Sequence, residues 1–319
     1  MDLAIRFGMI RAYALKGTDL QSVYPSNLQA AVWLDISNPT MDEIRRISEV
    51  FSINSEDFID CMDPEERPRF EMEEGYFLLM LRILATKGGA ASTPYTTFPV
   101  GFFVMPNRLI TVHLDAVDVV SYFSQRRRKR TISDSMDLHV TLLGSIGRRY
   151  DLLVREIQNK LSEFRQSIIK SMDSEAVENA HQLNNDLVFL NASIFGNSNA
   201  IRHMIRQRKI EFKEELKEKL EDIEIDARQN YETTSMYREL LANTLDTYNS
   251  AMSNNLNRIM KIIASLSLIL MLPTLIASIY GMNVEGIPFI ESQFGWVIVL
   301  VSVMWAGFLW YVFRKVGWL

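Results

Sequence analysis

A face of helix-spaced residues in the last quarter of the chain carries the chemistry. In alternating steps of four and three, Asp246, Ser250, Ser253, Asn257, Met260, Ala264, Ser267, Met271, Thr274 and Ser278 share one face. Each is small, polar or a flexible thioether, and the branched apolar residues lie off this line. A step averaging ~3.5 residues keeps one face turned toward the axis of a left-handed bundle. The stripe stops just short of Tyr280-Gly281-Met282-Asn283, and Glu285 and Glu291 follow. Hydroxyl, amide, carbonyl and carboxylate oxygens suit a hard cation, and Mg2+ in particular, which gives up its water reluctantly. A Zn2+ path would more naturally use His or Cys, yet no histidine lies beyond His203. The stripe holds no Lys or Arg for an anion. Small residues also let helices pack closely, and an asparagine can set register. The continuation through Asn257 to Asp246 favours a wet lumen over a packed seam.

The segments that must position this face are two apolar runs. Ile262 to Ile279 is uncharged and almost wholly apolar, and Phe294 to Phe313 is the same, with Trp296, Trp305, Trp310 and Tyr311. Each is long enough to span a bilayer core, and uncharged runs of this length are rare in soluble cores. Arg258 and Lys261 precede the first run, Arg314 and Lys315 follow the second, and the loop between has no Lys or Arg. The excess of positive charge predicts cytoplasmic termini and an external loop in a cell membrane. Glu285, Glu291, the Asn283 amide and a helix C-terminus then give the outer mouth a cation-attracting field. In lipid, a polar face must meet protein or water. One helix cannot enclose a lumen, so the stripe requires a homo-oligomer with the first span inside and the second toward lipid.

Upstream, the chain is a polar body. The 319 residues carry 34 Lys and Arg against 39 Asp and Glu, a net charge of −5 that argues against a nucleic-acid partner. The single cysteine, Cys61, allows no intrachain disulfide and fits a reducing compartment. No basic, then apolar, leader opens the chain. Strands are expected at Ala31 to Ile36, Tyr76 to Ala85, Phe98 to Met105 and Leu109 to Leu114. Thr40 and Glu43 form a capping-box pattern that starts a helix to Val50, and a short helix begins at Ser55. Long amphipathic helices are expected over Ser133 to Ser171 and Ser174 to Lys209, and a third helix from near Glu211 to Leu272. The last would reach roughly 90 Å, longer than a globular domain needs, which suggests a stalk. The expected organisation is an α/β and helical cytoplasmic domain (1–210) and a stalk (211–261). A first span (262–279), loop (280–293), second span (294–313) and tail (314–319) complete it.

These residues together resemble the CorA family of divalent-cation transporters. The signature Tyr280-Gly281-Met282-Asn283 sits between two C-terminal spans, and Met271 to Ser278 is similar to the family's first span. Asn257, Met260 and Lys261, the ending from Lys315, and Arg67-Pro68-Arg69 with Glu71 and Tyr76 add to the likeness. The resemblance implies a homopentameric funnel for Mg2+, with Co2+ and Ni2+ as further cargo, driven by the membrane potential and gated by internal Mg2+. It implies Asn283 as the selectivity residue, Gly281 and Met282 as holders of that turn, and Asn257, Met260, Met271 and Thr274 in the lumen. Asp246 matches an acidic position at the cytoplasmic end. Asp222 matches one side of an intersubunit regulatory Mg2+ site, but the partner position is Lys87 rather than an acid. Glu221, Glu224 and Asp226 are then the acidic groups that could complete such a site, although the same run also reads as a solvated helix face. Ile287-Pro288-Phe289-Ile290 lacks a glutamate that many members carry, which leaves ion capture to Glu285 and Glu291. The alternatives are a Zn2+ transporter of the ZntB branch, against which Met282 counts, and a membrane-anchored scaffold.

Other candidates have plainer readings. Arg126 to Arg130 reads as an exposed helix end, since no aromatic residues interleave it. His113 reads as a core or edge residue of its strand, and His139, His181 and His203 lack ligand spacing. No phosphate-cradling glycine loop and no nucleophile–base arrangement is present, so neither nucleotide-driven pumping nor catalysis is expected.

Overall fold

Strands whose two faces are both apolar must be covered on both sides. The computed structural model, which describes residues 9–17, 19–23, 31–86, 95–124, 132–170, 174–282 and 295–318, shows this arrangement. Seven strands form one sheet: β1 (Met9–Lys16), β2 (Asp19–Val23), β3 (Trp33–Ser37), β4 (Arg69–Met72), β5 (Phe77–Leu84), β6 (Thr97–Met105) and β7 (Arg108–His113). Their order is β2-β1-β3-β7-β6-β5-β4, and β3 runs parallel to β7 while the other neighbours are antiparallel.

Alternate residues of the central strands serve opposite faces. Leu34, Ile36, Leu78, Met80, Phe103, Ile110 and Val112 join Ile44 and Ile47 of α1 (Met41–Phe51) and Phe58 of α2 (Ser55–Asp60) in one core cluster. On the other face, α4 (Ser135–Lys170) lies against β6 and β7, and α5 (Ser174–Arg206) against β4 and β5. The α1 capping box forms as its sequence predicts: Thr40 Oγ1 accepts from the Glu43 N–H, and the Glu43 carboxylate accepts from the Thr40 N–H at 2.8 Å. The stretch containing Pro68 also has a packing role. A Cβ on Gly196 of α5 would come within 2.7 Å of the Pro68 ring, so glycine permits that contact.

The expected strands and long helices are present with shifted ends. Missed were β1, β2 and β4, together with the short α3 (Val119–Ser124). β2 is exposed and polar, and β4 is four residues long with two charges, so neither shows apolar alternation. The third long helix, α6, starts at Glu214 rather than Glu211 and continues through Pro273 to Tyr280. The last helix, α7, covers Gly295–Val316. The chain divides into two units, Met1–Asn243 and Thr244–Leu319, with the division inside α6. Of the described helices, α6 and α7 contain windows long and apolar enough to cross a membrane.

Candidate functional site

The candidate path is built on the second unit. Asp246, Ser250, Ser253, Asn257, Met260, Ala264, Ser267, Met271, Thr274 and Ser278 are all exposed on α6. Many neighbours are exposed too, so the informative observation is what is covered. Ser265 is fully buried, and Ile269, Leu272 and Ile276 are half-buried. On α7, Ser302 is buried, with Ile298, Ala306, Leu309 and Phe313 half-buried. Both sets recur at helical spacing, so each helix has one covered line. At ~100° per residue, the covered line on α6 and the polar stripe lie ~150° apart, on nearly opposite sides. The stripe is thus on the exposed side of α6.

The stripe's hydroxyls have a defined polarity. Ser267 Oγ donates to the Ile263 carbonyl at 2.9 Å, and Thr274 Oγ1 donates to the Leu270 carbonyl at 2.7 Å. With its hydrogen turned back to the helix, each hydroxyl presents oxygen lone pairs outward. Ser265 and Ser302, in the covered lines, also donate to their own helices, to the carbonyls of Ile262 and Ile298. They therefore enter the seam without an unpaired hydrogen, and their small size permits close approach.

At the end of the stripe, α6 closes on Gly281. Its N–H donates to the Ala277 carbonyl at 2.9 Å, and the Met282 N–H to the Ile279 carbonyl at 3.2 Å. A Cβ on Gly281 would stand 3.2 Å from the Ala277 oxygen, closer than side chains ordinarily sit. Met282 is exposed. Asn283, Glu285 and Glu291 lie outside the described residues.

The regulatory candidates lie in the first unit. Asp222 and Asp226 are both exposed on α6. The Asp226 carboxyl is pushed above the usual carboxylate range, by partial burial first and then by the neighbouring charges of Asp151 and Asp222. Asp151, on α4, went unnoticed in the sequence, where it is an isolated acid far from Asp222. Its Oδ1 accepts from Asn230 Nδ2 at 2.6 Å. Glu224 is engaged within the chain: the Arg202 guanidinium donates to its Oε1 at 2.6 and 2.9 Å. Lys87 and the Arg126 to Arg130 run lie outside the described residues. Among the described residues of one chain, no three His, Cys, Asp or Glu side chains are grouped to hold a metal ion.

Titratable groups elsewhere in the body are structural. Asp35 is completely buried, and its Oδ1 accepts from Thr111 Oγ1 at 2.6 Å and lies 3.1 Å from His113 Nε2. Arg11 donates to Asp35 Oδ2 at 2.7 Å and to Asp118 at 2.8 Å. Burial alone would raise the Asp35 carboxyl, but the hydrogen bond and charge of His113, with Thr111 and Arg11, hold it below the usual range. Arg69 is surrounded by Asp60, Glu66 and Glu71, which accounts for the charges around Pro68 without a cation path.

Comparison with known proteins fits this architecture. A curated relative named cobalt/magnesium transport protein CorA, from Methanocaldococcus jannaschii, is 25% identical over 294 residues, covering 90% of this chain and 91% of its own. The solved structure of the complete CorA magnesium transporter from that organism superposes with a TM-score of 0.82. It covers 98% of this chain and 99% of the other at 23% identity, which speaks for the fold. The ZntB cytoplasmic domain from Vibrio parahaemolyticus is less similar, with a TM-score of 0.61 and 15% identity over 76% of this chain and 98% of that one. The family described as CorA-like Mg2+ transporter protein matches residues 29–315, which takes in β3 to β7, the long helices and the signature, and the chain belongs to that family.

Proposed function

We infer that this chain is the subunit of a membrane transporter that carries Mg2+, and Co2+ as further cargo, along the α6 stripe. The observation that carries this reading is the placement of the oxygen-rich face. It lies on the side of α6 opposite the covered line, with hydroxyl lone pairs outward. Family membership and the names of the relatives support the same cargo. Several α6 faces must meet to enclose a wet lumen, so the working form is a homo-oligomer in the membrane. A pentamer is what the family resemblance implies.

In this reading the ion is captured by Glu285 and Glu291 and held, still hydrated, by the Asn283 amide oxygens of the ring. It then passes Ser278, Thr274, Met271, Ser267, Ala264, Met260, Asn257, Ser253 and Asp246. Two positive charges moving inward gain about 4.6 kcal/mol per 100 mV of membrane potential, so no nucleotide is required. Internal Mg2+ bound between subunits at Asp222 and Asp226 holds the ring closed, and its loss opens the path.

The deciding experiment is Mg2+ uptake into vesicles under an imposed potential, with Zn2+ as competitor. Asn283→Ala should abolish uptake while the protein stays in the membrane. Uptake at the wild-type rate in that variant overturns the reading. Preferential Zn2+ flux would replace Mg2+ as cargo, and absence of any flux would leave the scaffold reading standing.

A further inference from the structure

The C-terminal end of α7 carries a built surface that the ion path does not use. Gly317 adopts φ of +76°, its N–H donates to the Arg314 carbonyl at 3.3 Å, and the Trp318 N–H donates to the Phe313 carbonyl at 2.9 Å. This pair of bonds is a Schellman cap, which takes up two carbonyls that a helix end otherwise leaves exposed. It turns the chain back so that Trp318 stacks on Phe313, with ring centroids 5.5 Å apart and planes 11° from parallel. One turn earlier the Arg314 guanidinium lies 5.2 Å over the Trp310 ring. Arg314 and Lys315 are both exposed.

The same level of the hairpin has a second source of positive charge. Lys261 lies ~19 residues before Tyr280 and Lys315 ~20 residues after Gly295, so at ~1.5 Å per residue both are ~30 Å from the helix ends that the loop joins. That distance is the thickness of a bilayer's hydrocarbon core. Arg258 lies one turn beyond Lys261 and is also exposed. The level therefore combines cations with a tryptophan folded back beside them, and the cap has removed two of the carbonyls that would repel an anion.

We propose that Arg314 and Lys315, with the Trp318–Phe313 stack, form a binding surface for the phosphate of an anionic lipid headgroup at the cytoplasmic leaflet. The cations supply the attraction and the stacked rings fix its depth. Arg314, held over Trp310, presents its remaining N–H groups to the phosphate as a planar fork. This inference rests on the membrane-spanning reading of α6 and α7 but not on the identity of the transported ion.

The test uses the full-length protein in nanodiscs with equal phosphatidylglycerol and phosphatidylcholine, followed by extraction into mild detergent and a count of each lipid retained per chain. Wild type should retain phosphatidylglycerol over phosphatidylcholine by about thirtyfold, the scale expected for a pair of cations at a charged surface. Arg314→Gln with Lys315→Gln should bring the ratio close to one, and Arg314→Lys with Lys315→Arg should keep most of it. Equal retention of both lipids by wild type, or unchanged enrichment in the double glutamine variant, overturns the proposal. Displacement of the lipid by millimolar inorganic phosphate also overturns it, since the surface would then be a simple anion site. Mg2+ uptake measured on the same preparation separates the two readings: enrichment without uptake counts against the transport reading alone.

Discussion

Asn197 of α5 completes strand β5 by bonding both backbone groups of Arg82: its Oδ1 accepts the Arg82 N–H at 2.8 Å and its Nδ2 donates to the Arg82 carbonyl at 2.7 Å. β4 pairs with β5 only as far as Arg69 opposite Met80, so Arg82 lies beyond the end of that ladder. The amide stands in for the missing strand, and Tyr150 Oη also donates to the Arg82 carbonyl at 2.7 Å. Asn197→Leu should destabilise the first unit by about 1–3 kcal/mol, the cost of leaving the Arg82 N–H unpaired, since Tyr150 still holds the carbonyl. Thermal unfolding of the full-length protein in detergent measures it, and an unchanged melting temperature would show that the pairing contributes nothing.

Gly101 of β6 has a neighbour that tolerates no side chain. A Cβ there would stand 2.4 Å from Cys61 Sγ and 3.1 Å from the Phe103 ring. Gly101→Ala should cost about 1–3 kcal/mol by overpacking. Adding Cys61→Ala should restore part of that loss, because the nearest atom is then gone. No recovery in the double variant would locate the strain at Phe103 instead.

His139 makes the first unit acid-sensitive. It is fully buried on α4, set edge-on to the rings of Phe77 and Phe102, and neither ring nitrogen has a hydrogen-bond partner among the described residues. Burial pushes its pKa down to about 3. Its folded pKa is below the unfolded value, so the unfolded chain binds the proton first and stability falls as pH drops below ~6.5 toward ~3. Integrating the linkage gives a loss of about 2 kcal/mol at pH 5 relative to neutral pH. His139→Leu should flatten stability between pH 7 and pH 5, as read by unfolding at each pH.

His113 should act in the opposite direction. Its Nδ1 lies 2.8 Å from the Leu114 carbonyl and its Nε2 3.1 Å from Asp35, two acceptors that only a doubly protonated ring satisfies. Burial lowers its pKa, but Asp35 and the Leu114 carbonyl together outweigh that and the net shift is upward. A raised folded pKa means that this contribution is fully present below ~6.5 and is lost as pH rises through the folded value. His113→Gln should remove that alkaline decline. If the decline persists, another group causes it.

The two faces of α6 can be told apart by thiol labelling. Cys61 is fully buried and its thiol is pushed up by burial, so it should give little background. Cysteines placed at Ala264, Ser267, Met271, Thr274 and Ser278 should react with a small water-soluble cationic thiol reagent in assembled protein. Those at Ser265, Ile269, Leu272 and Ile276 should react at least about tenfold more slowly, because the thiolate needs water to form. Equal reactivity on both lines would remove the stripe as the wet face.

The sequence by itself determined the features that depend on local spacing. Ala264, Ser267, Met271 and Thr274 share a face because the helix repeats every 3.6 residues, whatever the rest of the chain does. The uncharged runs declare their length, and the apolar strands β5, β6 and β7 declare that both faces are covered. Tertiary structure decided the relations between residues distant along the chain. Spacing could not show that Asn197 extends β5 at Arg82, that Arg202 neutralises Glu224, or that Asp151 joins Asp222 and Asp226. Nor could it show that the Ser265 line is covered while the Ser267 line is free, since both are apolar-to-polar lines of one helix. Each of these depends on the packing of separate elements, whose geometry follows from the whole folded chain.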